Sequence, residues 1–235
     1  MLTVDFDLLQ MRDGERILDA GCGNGRHSWE ACKLGDYSVF SLDMDEDCLR
    51  KTRYVLDLMD QQGESDGEWH VMRGNVMTLP FEDASFDRVI CSEVLEHVLD
   101  DQQGVRELVR VLKPGGIMAI SVPTYLTEAI FWRISKDYSH PGGHIRKYKA
   151  KGIVDLLQKN NLSVYAIRHK HAFHSIYWFF RCLFGLNNEK AFIPSLYYRF
   201  LAWDITTKHK FFRLLENFLN LFFPKSIVIY ALKKG

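Results

Sequence analysis

Three glycines at every second position, Gly21, Gly23 and Gly25, follow Asp19 after one intervening alanine, and Asp43 lies eighteen residues after the last of them. Glycine lets a backbone turn tightly and come close to a ligand. A carboxylate at the tip of a strand can accept hydrogen bonds from both hydroxyls of a ribose. Arg26 and Ser28 occupy the two possible third-glycine positions, so the phosphate-cradling G-x-G-x-x-G pattern is incomplete. In "CSEVLEHV", Glu93, Glu96 and His97 have the i, i+3, i+4 spacing of one helical face. Two carboxylates and an imidazole so placed could bind a divalent cation that orients a phenol and lowers its pKa. His97 could equally act as a general base. In "YSHPGGHIRKY", His140 and His144 stand near Arg146 and Tyr148. A neutral imidazole suits either histidine to take a proton from a hydroxyl, while the plainer reading makes Pro141-Gly142-Gly143 a turn with solvated or capping histidines. His169, His171 and His174 have no evident acidic or cysteine partner, and ordinary packing is the reading for them.

These residues need elements to hold them, and apolar runs of strand length alternate with helical stretches along the chain. Strands are expected at 16–20, 37–44, 68–74, 85–92, 115–123, 162–170 and 226–234. Helices are expected at 27–35, 46–63 and 153–161, and another in "QQGVRELVRVLKPGG" that Pro114-Gly115-Gly116 stops. The alternation predicts an α/β fold: a Rossmann-like, seven-stranded, mostly parallel sheet with helices on both faces. In such sheets ligands sit beyond the carboxyl ends of the strands, where the glycine loop and Asp43 fall.

Four segments in order, "LDAGCGNG", "VFSLDMD", "RGNVMTLPFEDASFDRVICSEVLEHV" and "LKPGG", resemble the class I S-adenosylmethionine-dependent methyltransferases over about residues 14–125. The resemblance implies S-adenosyl-L-methionine as cofactor, held by Asp19, Gly21, Cys22, Gly23, Gly25, Asp43, Met44, Asn75, Val76 and Ser92, with Cys91 beside it at the strand end. Gly21, Gly23 and Gly25 would pass under the methionine part and Asp19 would help to position it. Asp43 would hold the ribose and Met44 would pack on the adenine. Asn75 stands where the family usually has Asp, and its amide oxygen can accept the same bond from the adenine amino group. The E-x-x-E-H pattern is similar to that of ubiquinone-pathway O-methyltransferases, which implies magnesium at Glu93, Glu96 and His97. The alternative is the metal-free arrangement of many family members, in which the Glu and His shape the active-site floor. His140 and His144 fall where the family builds its acceptor lid.

The net charge of zero conceals a division: residues 1–123 hold 12 Lys+Arg against 24 Asp+Glu, and residues 124–235 hold 18 against 6. Either the two parts attract each other, or the basic part meets an anionic surface or substrate. Five scattered cysteines without a C-x-x-C pair argue against a disulfide framework and suit a reducing cytosol. The acidic N-terminal stretch does not read as an export signal. Residues 171–225 hold 16 of the 31 aromatic residues, with apolar runs broken by Arg181, Lys190, Arg199 and Lys208. That composition predicts a helical insertion, either a cap over an acceptor or an element lying on a membrane surface, and none of its runs is long enough to span one. The organisation expected is a methyltransferase-like domain over 1–170 and 226–235, interrupted by that insertion. The acceptor expected is a small lipophilic or lipid-linked molecule, with O-methylation favoured. The protein is placed in the cytoplasm with peripheral contact to the inner face of the membrane. The rival function is an RNA-modifying enzyme or nucleic-acid binder using the basic half; it is disfavoured because "CSEVLEH" is not the amide-aromatic motif such enzymes carry.

Overall fold

The computed structural model describes residues 2–135, 143–186, 188, 191–207 and 209–235. Seven strands form one sheet: β1 (Arg16–Ala20), β2 (Ser38–Asp43), β3 (Glu68–Arg73), β4 (Phe86–Ser92), β5 (Leu112–Pro123), β6 (Leu162–Lys170) and β7 (Ser226–Lys233). Their order is β3-β2-β1-β4-β5-β7-β6, with β7 antiparallel to both neighbours and the remaining pairs parallel. The order reverses between β1 and β4, which places a crevice beyond the carboxyl ends of those two strands. The last four residues of β1 are all buried and three of them, Ile17, Leu18 and Ala20, are apolar, as suits a central parallel strand.

Helices cover both faces: α1 (Arg26–Leu34), α2 (Glu46–Gln62), α3 (Asp101–Val111), α4 (Tyr125–Ile134) and α5 (Ala150–Lys159). One core gathers Leu18, Phe86, Leu95, Leu108 and Ile153, and a second, on the other face, gathers Ile17, Val39, Leu56 and Tyr230. Asp45 caps α2 by accepting from the amides of Asp47 and Cys48, and Asp100 caps α3 through the amide of Gln103. The expected stop of α3 at Pro114-Gly115-Gly116 is corrected, since the helix ends at Val111 and Pro114 already lies in β5. Pairing of Leu112 with Phe86, and of the Lys113 ammonium with Asp87 at 2.7 Å, draws the chain into the sheet before the proline is reached. Helix α4, between β5 and the next element, was not apparent in the sequence pattern.

Between β6 and β7 run three helices, α6 (Ala172–Phe184), α7 (Phe192–Thr207) and α8 (Lys210–Leu219). Phe173, Phe200 and Phe212 pack edge to face at their centre, with ring centroids 5.4–6.5 Å apart. Arg213 bridges the buried Asp204 and Glu216 at 3.2 and 3.4 Å. No helix among the described residues is long and apolar enough to cross a membrane, and no disulfide joins the five cysteines.

Candidate active site

The loop from β1 to α1 is tied down on two sides. The amides of Gly21 and Cys22 donate to the Leu42 carbonyl at 2.7 and 3.0 Å, and the Gly23 amide donates to Asp43 Oδ2 at 2.7 Å. From α2, Thr52 Oγ1 donates to the Gly23 carbonyl at 3.0 Å. Gly21, Gly23 and Gly25 have φ of +76°, +53° and +80°, the left-handed region. Their reasons differ. A Cβ on Gly21 would lie 2.3 Å from Val94 Cγ2, and one on Gly25 would lie 2.5 Å from Thr52 Cγ2, whereas one on Gly23 would meet nothing within 4 Å. The outer glycines permit close packing, and the middle one leaves backbone open to a ligand.

Beside this loop lies a cleft of about 730 Å³. Of the residues named from the sequence, Gly21, Cys22, Gly23, Asp43, Met44, Asn75, Val76 and Ser92 line it, as do Glu93 and His97 at its other end. Asp43 already accepts two backbone bonds, the second from the Asp45 amide to Oδ1 at 2.9 Å, yet each carboxylate oxygen retains a lone pair for a hydroxyl. Asn75 Oδ1 accepts the Met77 amide at 2.9 Å, which holds the turn after β3 as well as facing the cleft. Met44 is 60% exposed on the rim. Cys22 is buried, which pushes its thiol far above the usual range and makes it unreactive.

Asp19 and Gly25 stand behind the loop, outside the cleft wall. Asp19 is buried, with Oδ2 accepting from the Ser28 amide at 3.1 Å and from Ser28 Oγ at 2.7 Å. Its Oδ1 accepts no hydrogen bond among the described residues. Burial outweighs the Ser28 hydrogen bonds and lifts the Asp19 carboxyl to about 6. A buried acid with one idle oxygen under a glycine loop is poised for a cationic group in the cleft above.

Beyond β4 the structure departs from the expected helical face. Glu93 has φ +58°, a strained left-handed conformation, and only one 3₁₀ turn, Leu95–His97, follows. Glu93 therefore does not share a helical face with Glu96 and His97. Its Oε1 accepts from Ser121 Oγ at 3.0 Å, its Oε2 pairs with Lys225 Nζ at 3.1 Å, and Ser121 in turn contacts Ser92 Oγ at 2.9 Å. The oxygen-rich magnesium set of Glu93, Glu96 and His97 is not assembled, because Glu93 is engaged by Lys225. Burial works to lower the Lys225 ammonium, but the Glu93, Glu96 and Glu128 carboxylates outweigh it and raise its pKa.

Glu96 is fully buried, and neither of its carboxyl oxygens has a hydrogen-bond partner among the described residues. Burial, then the nearby Glu93 charge, lifts this carboxyl well above the usual range. His97 meets the Gly143 carbonyl through Nδ1 at 3.0 Å, and burial lowers its pKa. His144 meets Glu128 Oε2 through Nδ1 at 2.7 Å, and the two histidine rings stand edge to face at 5.0 Å. Arg146 and Tyr148 both bind Asp101 at the start of α3, so they anchor the segment carrying His144. His140 lies outside the described residues. His171 and His174 pack together, His171 holding Thr3 Oγ1 at 3.0 Å, in keeping with a structural role. Sequence reasoning missed Glu128 and Lys225. Glu128 comes from the unrecognised α4, and Lys225 reaches the site only because β7 inserts beside β5.

Residues 18–120 match the family described as "Methyltransferase domain". A Mycolicibacterium smegmatis protein named "Probable S-adenosylmethionine-dependent methyltransferase" is 31% identical over 153 residues, covering 64% of this chain and 53% of that one. The 27-O-demethylrifamycin SV methyltransferase of Amycolatopsis mediterranei is 33% identical over 115 residues, covering 48% and 40%. The chain thus spans about half the length of the curated relatives it matches. The crystal structure of YcgJ from Bacillus subtilis superposes with a TM-score of 0.63 at 18% identity, covering 97% of this chain and 96% of that one, a likeness of fold.

Proposed function

We propose that the chain is a class I S-adenosylmethionine-dependent methyltransferase, which the match of residues 18–120 and the similarity to the relatives support, and that it methylates a small lipophilic or lipid-linked acceptor, on oxygen. The observation that carries this reading is the continuity of one cleft from Gly23 and Asp43 at the loop to Glu93 and His97 at the far end. When bound, S-adenosyl-L-methionine supplies a methyl group on a positively charged sulfur that departs as a neutral thioether. Asp43 accepts from the ribose hydroxyls, Met44, Asn75 and Val76 border the adenine, and Asp19 provides negative charge beneath the loop. Gly23 lets the backbone approach without a side chain in the way.

The protein's remaining task is to align the acceptor and take its proton. The Glu128 carboxylate holds the His144 Nδ1 proton, which leaves Nε2 as the basic nitrogen of that ring; the Gly143 carbonyl does the same for His97. An acceptor hydroxyl entering beside His97 would pass its proton to this imidazole pair. Of the three histidines named from the sequence, His97 lines the cleft and His144 stands against its ring.

The lipophilic acceptor is supported by the outer face of α8. Phe211, Leu214 and Phe218, at helical spacing, and the following Leu221, Phe222 and Phe223 are 52–73% exposed. An apolar row turned to solvent beside basic residues suits a lipid surface or a greasy acceptor. In this reading residues 1–170 with 226–235 form the catalytic domain, and 171–225 form the acceptor cap or membrane-surface element. The test is transfer of radioactive methyl from labelled cofactor to a lipid extract, alongside calorimetric binding of the cofactor. Tight cofactor binding with label appearing only in RNA or protein would refute the acceptor class; no cofactor binding would refute the whole reading.

A further inference from the structure

Glu96, His97 and His144 come from two separated segments, yet their candidate ligand atoms all lie within 4.8 Å of one another. We propose that these three side chains form a site for a divalent transition-metal cation of the zinc, iron or manganese kind at the acceptor end of the cleft. Three observations carry it besides proximity. First, Glu96 is buried with neither oxygen hydrogen-bonded among the described residues, an arrangement that costs free energy unless a proton or a cation satisfies it. Second, each histidine has its Nδ1 held by a hydrogen-bond acceptor: the Gly143 carbonyl for His97 and the Glu128 carboxylate for His144. Carbonyl and carboxylate oxygens accept, which assigns the proton of each ring to Nδ1 and makes Nε2 the nitrogen that would ligate. A carboxylate–histidine or carbonyl–histidine pair of this kind is how metal-binding imidazoles are oriented. Third, Glu96 Oε1 lies 4.0 Å from His97 Nε2, close to the ligand–ligand separation of about 3.3 Å that bonds of about 2.0–2.1 Å in a tetrahedral site require. His97 is 41% exposed in its side chain and can close that gap by a small rotation.

The donor set chooses the ion. Two imidazole nitrogens and one carboxylate suit zinc, iron, cobalt or manganese, whereas magnesium demands oxygen ligands in octahedral geometry. Three protein ligands leave a coordination position, and His97 borders the cleft, so an acceptor hydroxyl could occupy it. With the cation bound, both Nε2 lone pairs are ligands, so the cation replaces the imidazole pair in acidifying that hydroxyl; this task rests on the methyl-transfer reading, and the binding of the cation does not.

The test is titration of the full-length, chelator-stripped protein with Co²⁺, read by visible d–d absorption and by calorimetry, with cofactor affinity measured on the same samples. The expected result is a single equivalent of bound Co²⁺ displaced by Zn²⁺, lost in Glu96→Gln, and weakened by about 10–100-fold in Glu128→Gln, which removes the charge behind the His144 ring. Glu96→Gln keeps the volume of the side chain, and cofactor affinity equal to wild type shows that the variant is folded. No Co²⁺ or Zn²⁺ binding tighter than about 1 mM, or binding that Glu96→Gln leaves intact, overturns the site. Metal binding without cofactor binding would refute the proposed function and leave the metal site standing; cofactor binding without metal would do the reverse.

Discussion

Replacing Asp43 with alanine removes the carboxylate that the loop and the proposed ribose share. The two roles can be separated by magnitude. Within the protein, Asp43 accepts the Gly23 amide at 2.7 Å and the Asp45 amide at 2.9 Å. The Asp45 amide is exposed and finds water, and the Gly23 amide borders the cleft, so the loss of stability is about 1–2 kcal/mol, a fall in Tm of roughly 2–8 °C. Against the ligand, each hydroxyl bond to a carboxylate is worth about 1.5–3 kcal/mol. Asp43 is only partly buried and water can replace it, so the lower figure applies to each bond, and about 3 kcal/mol corresponds to a rise in Kd of about 150-fold. Asp43→Asn keeps one oxygen but loses the charge, and should raise Kd by roughly tenfold. Isothermal calorimetry with S-adenosyl-L-methionine, together with thermal melts, reads both effects. If Asp43→Ala lowers Tm as stated but leaves Kd within about threefold of wild type, Asp43 is only a staple for the loop and the ribose assignment fails.

The glycines make a paired prediction. Gly21→Ala drives a Cβ to 2.3 Å from Val94 Cγ2 at φ +76° and should destabilise the fold by about 2–4 kcal/mol. Gly23→Ala has open space, so it should cost about 1–2 kcal/mol from its φ alone while weakening cofactor binding; equal melts for the two variants would contradict this division. Asp19 gives a pH signature. Its folded pKa of about 6 is raised above the ordinary 3.8, so its contribution to stability is present below pH 3.8 and lost as pH rises through about 6. A cationic ligand favours the ionised form, so cofactor affinity should rise by up to about tenfold per unit between about pH 4 and 6, and Asp19→Asn should flatten the profile; a flat wild-type profile would remove the proposed pairing. On α8, Leu214→Glu with Phe218→Glu should change stability by less than about 1 kcal/mol because both are exposed, yet abolish flotation with anionic liposomes. Failure of the wild-type protein itself to float at low salt would leave α6–α8 as a cap without a lipid surface.

The cofactor half of the site was legible because its parts lie in sequence order along one βαβα run. Asp19, the three glycines and Asp43 sit at strand tips whose apolar runs end within a residue or two of the observed ends of β1 and β2. The glycine positions also carried their own reason, since left-handed φ at alternate residues has few other occupants. The end of α3 was misplaced because proline and glycine are local signals, while the pairing of Leu112 with Phe86 is a tertiary one. The face expected for Glu93, Glu96 and His97 failed for a related reason. Helical spacing was assumed across a residue, Glu93, whose backbone is left-handed, and nothing in a glutamate announces that conformation.

The acceptor half was illegible because its charges balance across the fold and not along the chain. Lys225 and Glu93 are 132 residues apart in sequence and form one largely buried pair, and Glu128 of α4 meets His144 of the segment that follows it. The same pairing bears on the division of charge between the two halves. Among the described residues, the Lys/Arg ion pairs that join the basic half to the acidic half are Lys225 with Glu93 and Arg146 with Asp101. The other Lys/Arg ion pairs among the described residues lie within one half. The positive charge after residue 123 is a large excess, 18 Lys+Arg against 6 Asp+Glu. That excess sits on the half that also carries the outward apolar row of α8, and the two properties together are what contact with an anionic lipid surface requires.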